Sequence, residues 1–160
     1  MVALHAVVPN ELSKLGNRTK RTRRVPLITR SGGLLAVATG AALIAWAIRT
    51  HYQAAPRGWE LRHEFADGYL LRSGPYRLSR NPMYFGEAIV WLGWALFYKS
   101  AAVFTGMLIL CAAFSRVVRW EERRLLDQFG DSYRAYLAEV PRWVGFTPRP
   151  GQPLTFPGHP

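Results

Sequence analysis

Two clusters of residues in this 160-residue chain have the types and spacing to do chemistry. The first is Ser73-Gly74-Pro75-Tyr76-Arg77-Leu78-Ser79-Arg80-Asn81-Pro82-Met83-Tyr84-Phe85-Gly86-Glu87, where a Gly-Pro turn, phenols, two arginines and an Asn-Pro step lead into an apolar run. Asn81 has the short polar side chain favoured at a helix N-cap. Pro82 suits the first helical position, because the N–H it lacks would have had no partner there. Gly74 to Arg80 therefore reads as a turn and Asn81 as the start of a helix. The N–H groups of Met83 and Tyr84 would leave that helix end partly positive, and Arg77 and Arg80 add charge beside it. This is chemistry for holding an anion. The second cluster is Glu121-Glu122 beside Arg123-Arg124. Its carboxylates suit an ammonium or sugar hydroxyls, or pair with the neighbouring arginines. Glu87 is a lone charge within an apolar stretch, and a carboxylate in such a place reads by default as functional.

The elements that must position these residues are apolar. Three stretches, Ser31–Ile48, Met83–Tyr98 and Ser100–Ser115, contain no charge besides Glu87. Each runs for roughly 16–18 residues, the lower edge of what crosses a bilayer as a helix. They lack the polar face of a soluble amphipathic helix, and tryptophans and tyrosines lie within them or near their ends. Gly32, Gly33, Gly40 and the alanines of the first stretch suit close helix–helix contact. The short link at Lys99 requires the second and third stretches to be antiparallel neighbours. Their outer ends then share one side, so the motif at 74–84 faces the segment after Ser115. Arg116–Phe129 continues helically, Gly130 is a natural stop, and Asp131 reads as the cap of a short helix through Glu139. Leu126, Phe129, Tyr133, Tyr136 and Leu137 would pack this arm onto the body, and Pro141 ends it. The fold class is all-α: a membrane helical bundle of about three spans with a C-terminal helical arm.

The flanks divide off by composition. Residues 1–30 read as a basic N-terminal tail, suited to anionic headgroups. Residues 31–146 are the membrane domain, and the Pro-rich 147–160 are an extended tail. Between the spans, Pro56–Trp59 reads as a turn, Glu60–Phe65 as a short helix and Tyr69–Leu71 as extended. A full span at 31–48 puts the basic tail opposite the other basic segments, against the positive-inside tendency.

Several functions are excluded. One cysteine, Cys111, permits no internal disulfide, and His5, His51, His63 and His159 have no ligand-like spacing, so no metal site is expected. Val2–Val8 is too short for a signal peptide. The sequon at Asn17 lies in a basic tail and is read as chance. The net charge of +11 raises nucleic acid as a partner, but no reader motif is present and the basic residues flank apolar spans. No Gly-x-Gly-x-x-Gly follows a strand, so no Rossmann cofactor site is expected.

Taken together, Gly74-Pro75-Tyr76, Arg80-Asn81-Pro82-Met83-Tyr84, the hairpin, Glu121-Glu122-x-x-Leu125-x-x-x-Phe129-Gly130-x-x-Tyr133-x-x-Tyr136 and Val140-Pro141-Arg142 resemble the isoprenylcysteine carboxyl methyltransferase family and the related phospholipid methyltransferases. The likeness covers about 70–150 well and 31–70 loosely. It implies an integral membrane enzyme that transfers a methyl group from S-adenosyl-L-methionine to a lipophilic acceptor, with its site facing the cytosol. It also implies a cofactor pocket formed by Gly68, Tyr69, Leu70 and Leu71 before the turn, by Tyr76, Asn81, Pro82, Met83 and Tyr84, and by Glu121. Asn81 stands where better-known members have histidine; asparagine keeps the hydrogen bonding and N-capping and loses the titration. A family arginine that meets the acceptor falls at Val117 here, so Arg116 or Arg119 would take that role, with Glu87 as the further catalytic candidate. The residues' own chemistry agrees: Arg80 and the helix end suit the cofactor carboxylate, Glu121 or Glu122 its ammonium or ribose, and Tyr76 and Tyr84 its sulfonium or adenine. The rival reading is a non-catalytic membrane homologue that docks lipid or a partner through its basic tails.

Overall fold

The computed structural model of the chain describes residues 2–17, 26–54 and 70–144. Among them the regular structure is helical throughout. The expected turn at 56–59, the short helix at 60–65 and the tail at 147–160 lie outside the described residues.

Helix α2 (Leu27–Ala54) has 28 residues, about 42 Å at 1.5 Å per residue, more than the roughly 30 Å of a hydrocarbon core. It runs antiparallel to α3 (Pro82–Tyr98), and glycines set their separation. A Cβ on Gly33 would stand 2.7 Å from the Gly93 carbonyl oxygen, and one on Gly40 would stand 2.6 Å from that of Gly86. Gly86 and Gly93 are confined reciprocally by Gly40 and Gly33. Where lipid replaces water, close backbone approach of this kind is what holds helices together. Gly33 and Gly40 thus act as expected, whereas Gly32 has nothing within 4 Å of its Cβ position.

Lys99 ends α3 in the left-handed conformation (φ 47°, ψ 43°). Ser100 then caps α4 (Ala101–Phe129), its hydroxyl accepting from the Val103 N–H. The two helices form the expected hairpin. The apolar windows of α2 and α4 are only 17% and 11% buried within the protein. A soluble core helix of that hydropathy would be mostly covered, so these faces are built for lipid. Leu34, Leu35 and Trp46 on α2, and Leu108 and Ile109 on α4, are exposed. α2 and α4 are each long enough to cross. With the 17-residue α3 alongside, the bundle is compatible with about three spans.

The first element departs from the expected tail. Residues Val2–Asn17 form a helix, α1, with Pro9 inside it. Val8 and Leu12, one turn apart, pack on Trp91, Ala95 and Val103 near the hairpin turn. With Pro9 removing an internal hydrogen bond, a 16-residue helix is marginal alone. Burial of that apolar pair, which composition does not reveal, supports it.

At the opposite end α4 continues without a break through its charged extension and stops at Gly130 (φ 50°), whose N–H bonds the Leu126 carbonyl at 2.9 Å. α5 (Asp131–Glu139) follows. Asp131 does not cap it. Gly130 holds the N-cap position, and Asp131 pairs instead with Arg134 at 2.6 Å. Tyr133, Tyr136, Leu137 and Val140 form a core with Leu70, Leu125, Leu126 and Phe129, which folds the arm back as expected.

Candidate functional site

The turn before α3 is one turn of 3-10 helix, Gly74–Arg77. Gly74 has φ +57°, and a Cβ there would meet the Thr50 hydroxyl at 2.6 Å, so both backbone and space demand glycine. Tyr76 is buried. Its ring meets the His51 ring edge-on at 5.8 Å, and its carbonyl accepts from the Tyr136 hydroxyl at 2.6 Å. The turn is therefore pinned between the C-terminal end of α2 and the arm.

Asn81 occupies the N-cap position of α3, but its side chain makes no cap hydrogen bond. Its Nδ2 donates to the Arg142 carbonyl at 3.0 Å, and its backbone N–H donates to the Ser79 hydroxyl at 3.0 Å. That hydroxyl in turn donates to the Arg142 carbonyl at 3.2 Å. Local preference thus predicts where the helix starts, and a tertiary partner takes the side chain. Pro82 fills the first helical position, as expected.

Tyr84 and Glu121 come together. The phenol of Tyr84 donates to Glu121 Oε1 at 2.8 Å, and its ring lies 4.8 Å from that of Phe114, tilted by 52°. Phe114 and Glu121 are seven residues apart on α4, so they share a face with the fully buried Val118 between them. Glu87 is half-buried one turn beyond Tyr84 on α3.

Glu122 turns elsewhere. Its carboxylate is buried and held by two arginines: Arg80 Nη2 at 3.0 Å, and Arg142 through Nε at 3.0 and 3.1 Å and also through Nη2. Arg80 also donates from Nη1 to the Leu137 carbonyl at 3.1 Å and from its backbone N–H to the Pro141 carbonyl at 2.9 Å. Among the described residues its buried Nε has no hydrogen-bond partner. The bonds to Glu122 push the Arg142 guanidinium above its ordinary range, and burial pushes up the Tyr133 and Tyr136 phenols. Arg80, Asn81 and Glu122, all expected in a cofactor pocket, thus clasp the arm to the turn.

The remaining candidates divide. Met83 is half-buried beside Tyr84 in the first turn of α3. Leu71 is half-buried, and Leu70 belongs to the arm's core. Gly68 and Tyr69 lie outside the described residues. Arg116 and Arg119 are exposed. At 100° per residue they project from the side of α4 away from Glu121, so they are not brought to the pair. A cavity of about 220 Å³ opens elsewhere on the arm, lined by Arg72, Arg77, Tyr136, Glu139 and Val140. Neither Tyr84 nor Glu121 lines it. Among the described residues no cluster of side chains could hold a metal ion.

Sequence reasoning assigned no role to Phe114, Ser79 or Arg142. Arg142 stood within the quoted Val140-Pro141-Arg142 pattern, and its charge beyond a helix-ending proline was the available signal. Phe114 carried none, being one of two phenylalanines in the apolar run 100–115.

A helical bundle with two lipid-facing, membrane-length helices, whose polar groups gather where a turn meets a charged arm, defines an integral membrane protein with a candidate site at one end. The sequence profile described as phospholipid methyltransferase matches residues 28–132, and the chain belongs to that family. It is also similar to the steroid 5-alpha-reductase DET2 of Arabidopsis thaliana, 35% identical over 74 residues. That stretch covers 46% of this chain and 28% of the plant protein, less than a third of the relative's length.

Proposed function

We propose that this chain is a membrane-embedded methyltransferase that uses S-adenosyl-L-methionine to methylate a lipophilic acceptor. The observation that carries the reading is the hydrogen bond between Tyr84 and Glu121. It joins the turn-led helix and the arm-bearing helix at one end of an apolar bundle. Family membership supports the reaction class.

When bound, the cofactor supplies a methyl group on an electron-poor sulfonium. The chain's own residues do the rest. The Glu121 carboxylate and the Tyr84 hydroxyl offer oxygen acceptors for an ammonium or for ribose hydroxyls. The face of Tyr84, backed by Phe114, suits a cationic or planar group. Methyl transfer is a displacement, so fixed alignment of acceptor and donor supplies much of the rate. An acceptor dissolved in the bilayer would reach the site laterally, along the exposed apolar faces of α2 and α4. With Arg80 committed to Glu122 and Leu137, the cofactor carboxylate falls to other groups. The exposed Arg116 and Arg119 remain candidates for meeting an acceptor's headgroup. The arginines flanking this end, at 72, 77, 80, 116, 119, 123 and 124, favour a cytosolic orientation.

The test is calorimetry of S-adenosylhomocysteine on the detergent-purified protein, followed by transfer of labelled methyl from the cofactor to membrane extracts. Binding with transfer supports the reading. Folded protein that neither binds nor transfers refutes it and leaves the non-catalytic membrane role. A second reading rests on the likeness to a steroid reductase: reduction of a lipophilic substrate at the same end. Saturable binding of a nicotinamide hydride donor, with none of S-adenosylhomocysteine, would favour it.

A further inference from the structure

Adjacent glutamates do different things here. Glu121 points at Tyr84, whereas Glu122, with Arg80 and Arg142, is buried where three segments meet. These are the turn before α3, the charged extension of α4, and the strand of chain that leaves α5. Around the carboxylate, Arg80 and Asn81 donate to the carbonyls of Leu137, Pro141 and Arg142, and Ser79 to that of Arg142. Most bonds that hold the 137–142 segment against the turn therefore pass through residues touching Glu122 or beside it. On the other side α5 hangs from α4 by Gly130, whose Cβ position has nothing within 4 Å. The Gly130 junction is open, so the arm's place against the turn is set by its apolar core, by the Tyr136–Tyr76 bond and by this clasp, and the clasp is the part that reaches α4 through a charge.

We propose that Glu122 is a positioning residue. Its ion triad with Arg80 and Arg142 latches the arm onto the turn, and the latch sets the rotation of α4 that presents Glu121 to Tyr84. The inference rests on the Tyr84–Glu121 pair being the ligand site. Residues one apart on a helix differ by 100° in direction. With Glu122 locked between the two arginines, Glu121 is directed to the α3 side. A buried carboxylate with two guanidinium partners cannot lose its charge quietly, because each partner is then left under-compensated.

The experiment uses the full chain in detergent and compares Glu121→Gln, Glu122→Gln, Glu122→Asp and Arg142→Gln. Two readouts are taken: S-adenosylhomocysteine affinity and hydrogen exchange of the α5 amides. If the latch acts as stated, Glu122→Gln raises α5 exchange at least tenfold and weakens binding at least tenfold. Glu122→Asp restores part of both. Glu121→Gln weakens binding and leaves α5 exchange unchanged. Unchanged α5 exchange in Glu122→Gln overturns the proposal. So does loss of affinity in that variant with the arm still protected, which would make Glu122 a ligand contact. Should Glu122→Gln loosen α2 to α4 as well, Arg142→Gln decides by the same two criteria. Failure of the wild-type protein to bind refutes the methyltransferase reading instead, and the exchange readout still judges the latch.

Discussion

Gly32 and Gly33 are neighbours in sequence, and alanine should have opposite effects at the two positions. At Gly32 a Cβ meets nothing within 4 Å, so Gly32→Ala brings only the helix-propensity gain of about 1 kcal/mol. At Gly33 a Cβ would lie 2.7 Å from the Gly93 oxygen, 2.7 Å from the Phe97 nitrogen and 3.0 Å from the Phe97 Cα. Favourable carbon contacts begin near ~3.5 Å, and all three atoms are backbone, so no side chain can swing aside. α2 and α3 must move apart along their shared face. Overpacking of this kind costs about 1–3 kcal/mol. The propensity gain is common to both variants, so their difference is the overpacking cost itself. At about 2–4 °C per kcal/mol for a chain of this size, Gly33→Ala should melt several degrees below Gly32→Ala in the same detergent, followed by circular dichroism. Coincident melting, or the reverse order, would mean that α2 and α3 do not meet at Gly33. The placement of the turn against Thr50 would fall with it.

Three further outcomes follow from the same geometry. Tyr84→Phe removes the hydroxyl bonded to Glu121 and keeps the ring on Phe114. The same hydroxyl is the proposed acceptor for the ligand's ammonium, and a hydrogen bond to a charged group is worth about 1.5–3 kcal/mol, so S-adenosylhomocysteine should bind at least about tenfold more weakly, and unchanged affinity would make the pair structural only. Ser100→Ala deletes the α4 cap, in which the hydroxyl accepts from Val103; a loss of about 1 kcal/mol should appear as a lowered melting temperature, which a cap without effect would not show. Burial raises the phenol pKa values of Tyr133 and Tyr136 in the folded arm, so the unfolded chain ionises first. Stability from these groups is then intact below about pH 10 and declines as pH rises further. Melting temperature against pH should show that decline, smaller in Tyr133→Phe, and an equal decline in both proteins would contradict it.

Much of this fold is legible in the order of its residues. Apolar runs without polar faces marked the membrane helices, because bilayer thickness demands length and uniform hydropathy wherever the helix sits. The one-residue link at Lys99 forced the hairpin. Asn81-Pro82 and Gly130 marked helix ends, because caps depend on backbone conformation within one turn. Tyr84 and Glu121 each stand out as candidates from their motifs. Their partners are set by how the helices pack. Glu121 and Glu122 are the same residue type one step apart, yet in the packed bundle one meets Tyr84 and the other Arg80 and Arg142. The same packing turns Arg116 and Arg119 away from the pair. Asn81 kept its place at the helix start but gave its side chain to a carbonyl 61 residues distant. Val8 and Leu12 became part of a buried seam because Trp91 and Val103 lay where they could be covered. Local rules act within a few residues, and a contact across the chain is chosen by which surfaces remain to be filled once the helices have packed.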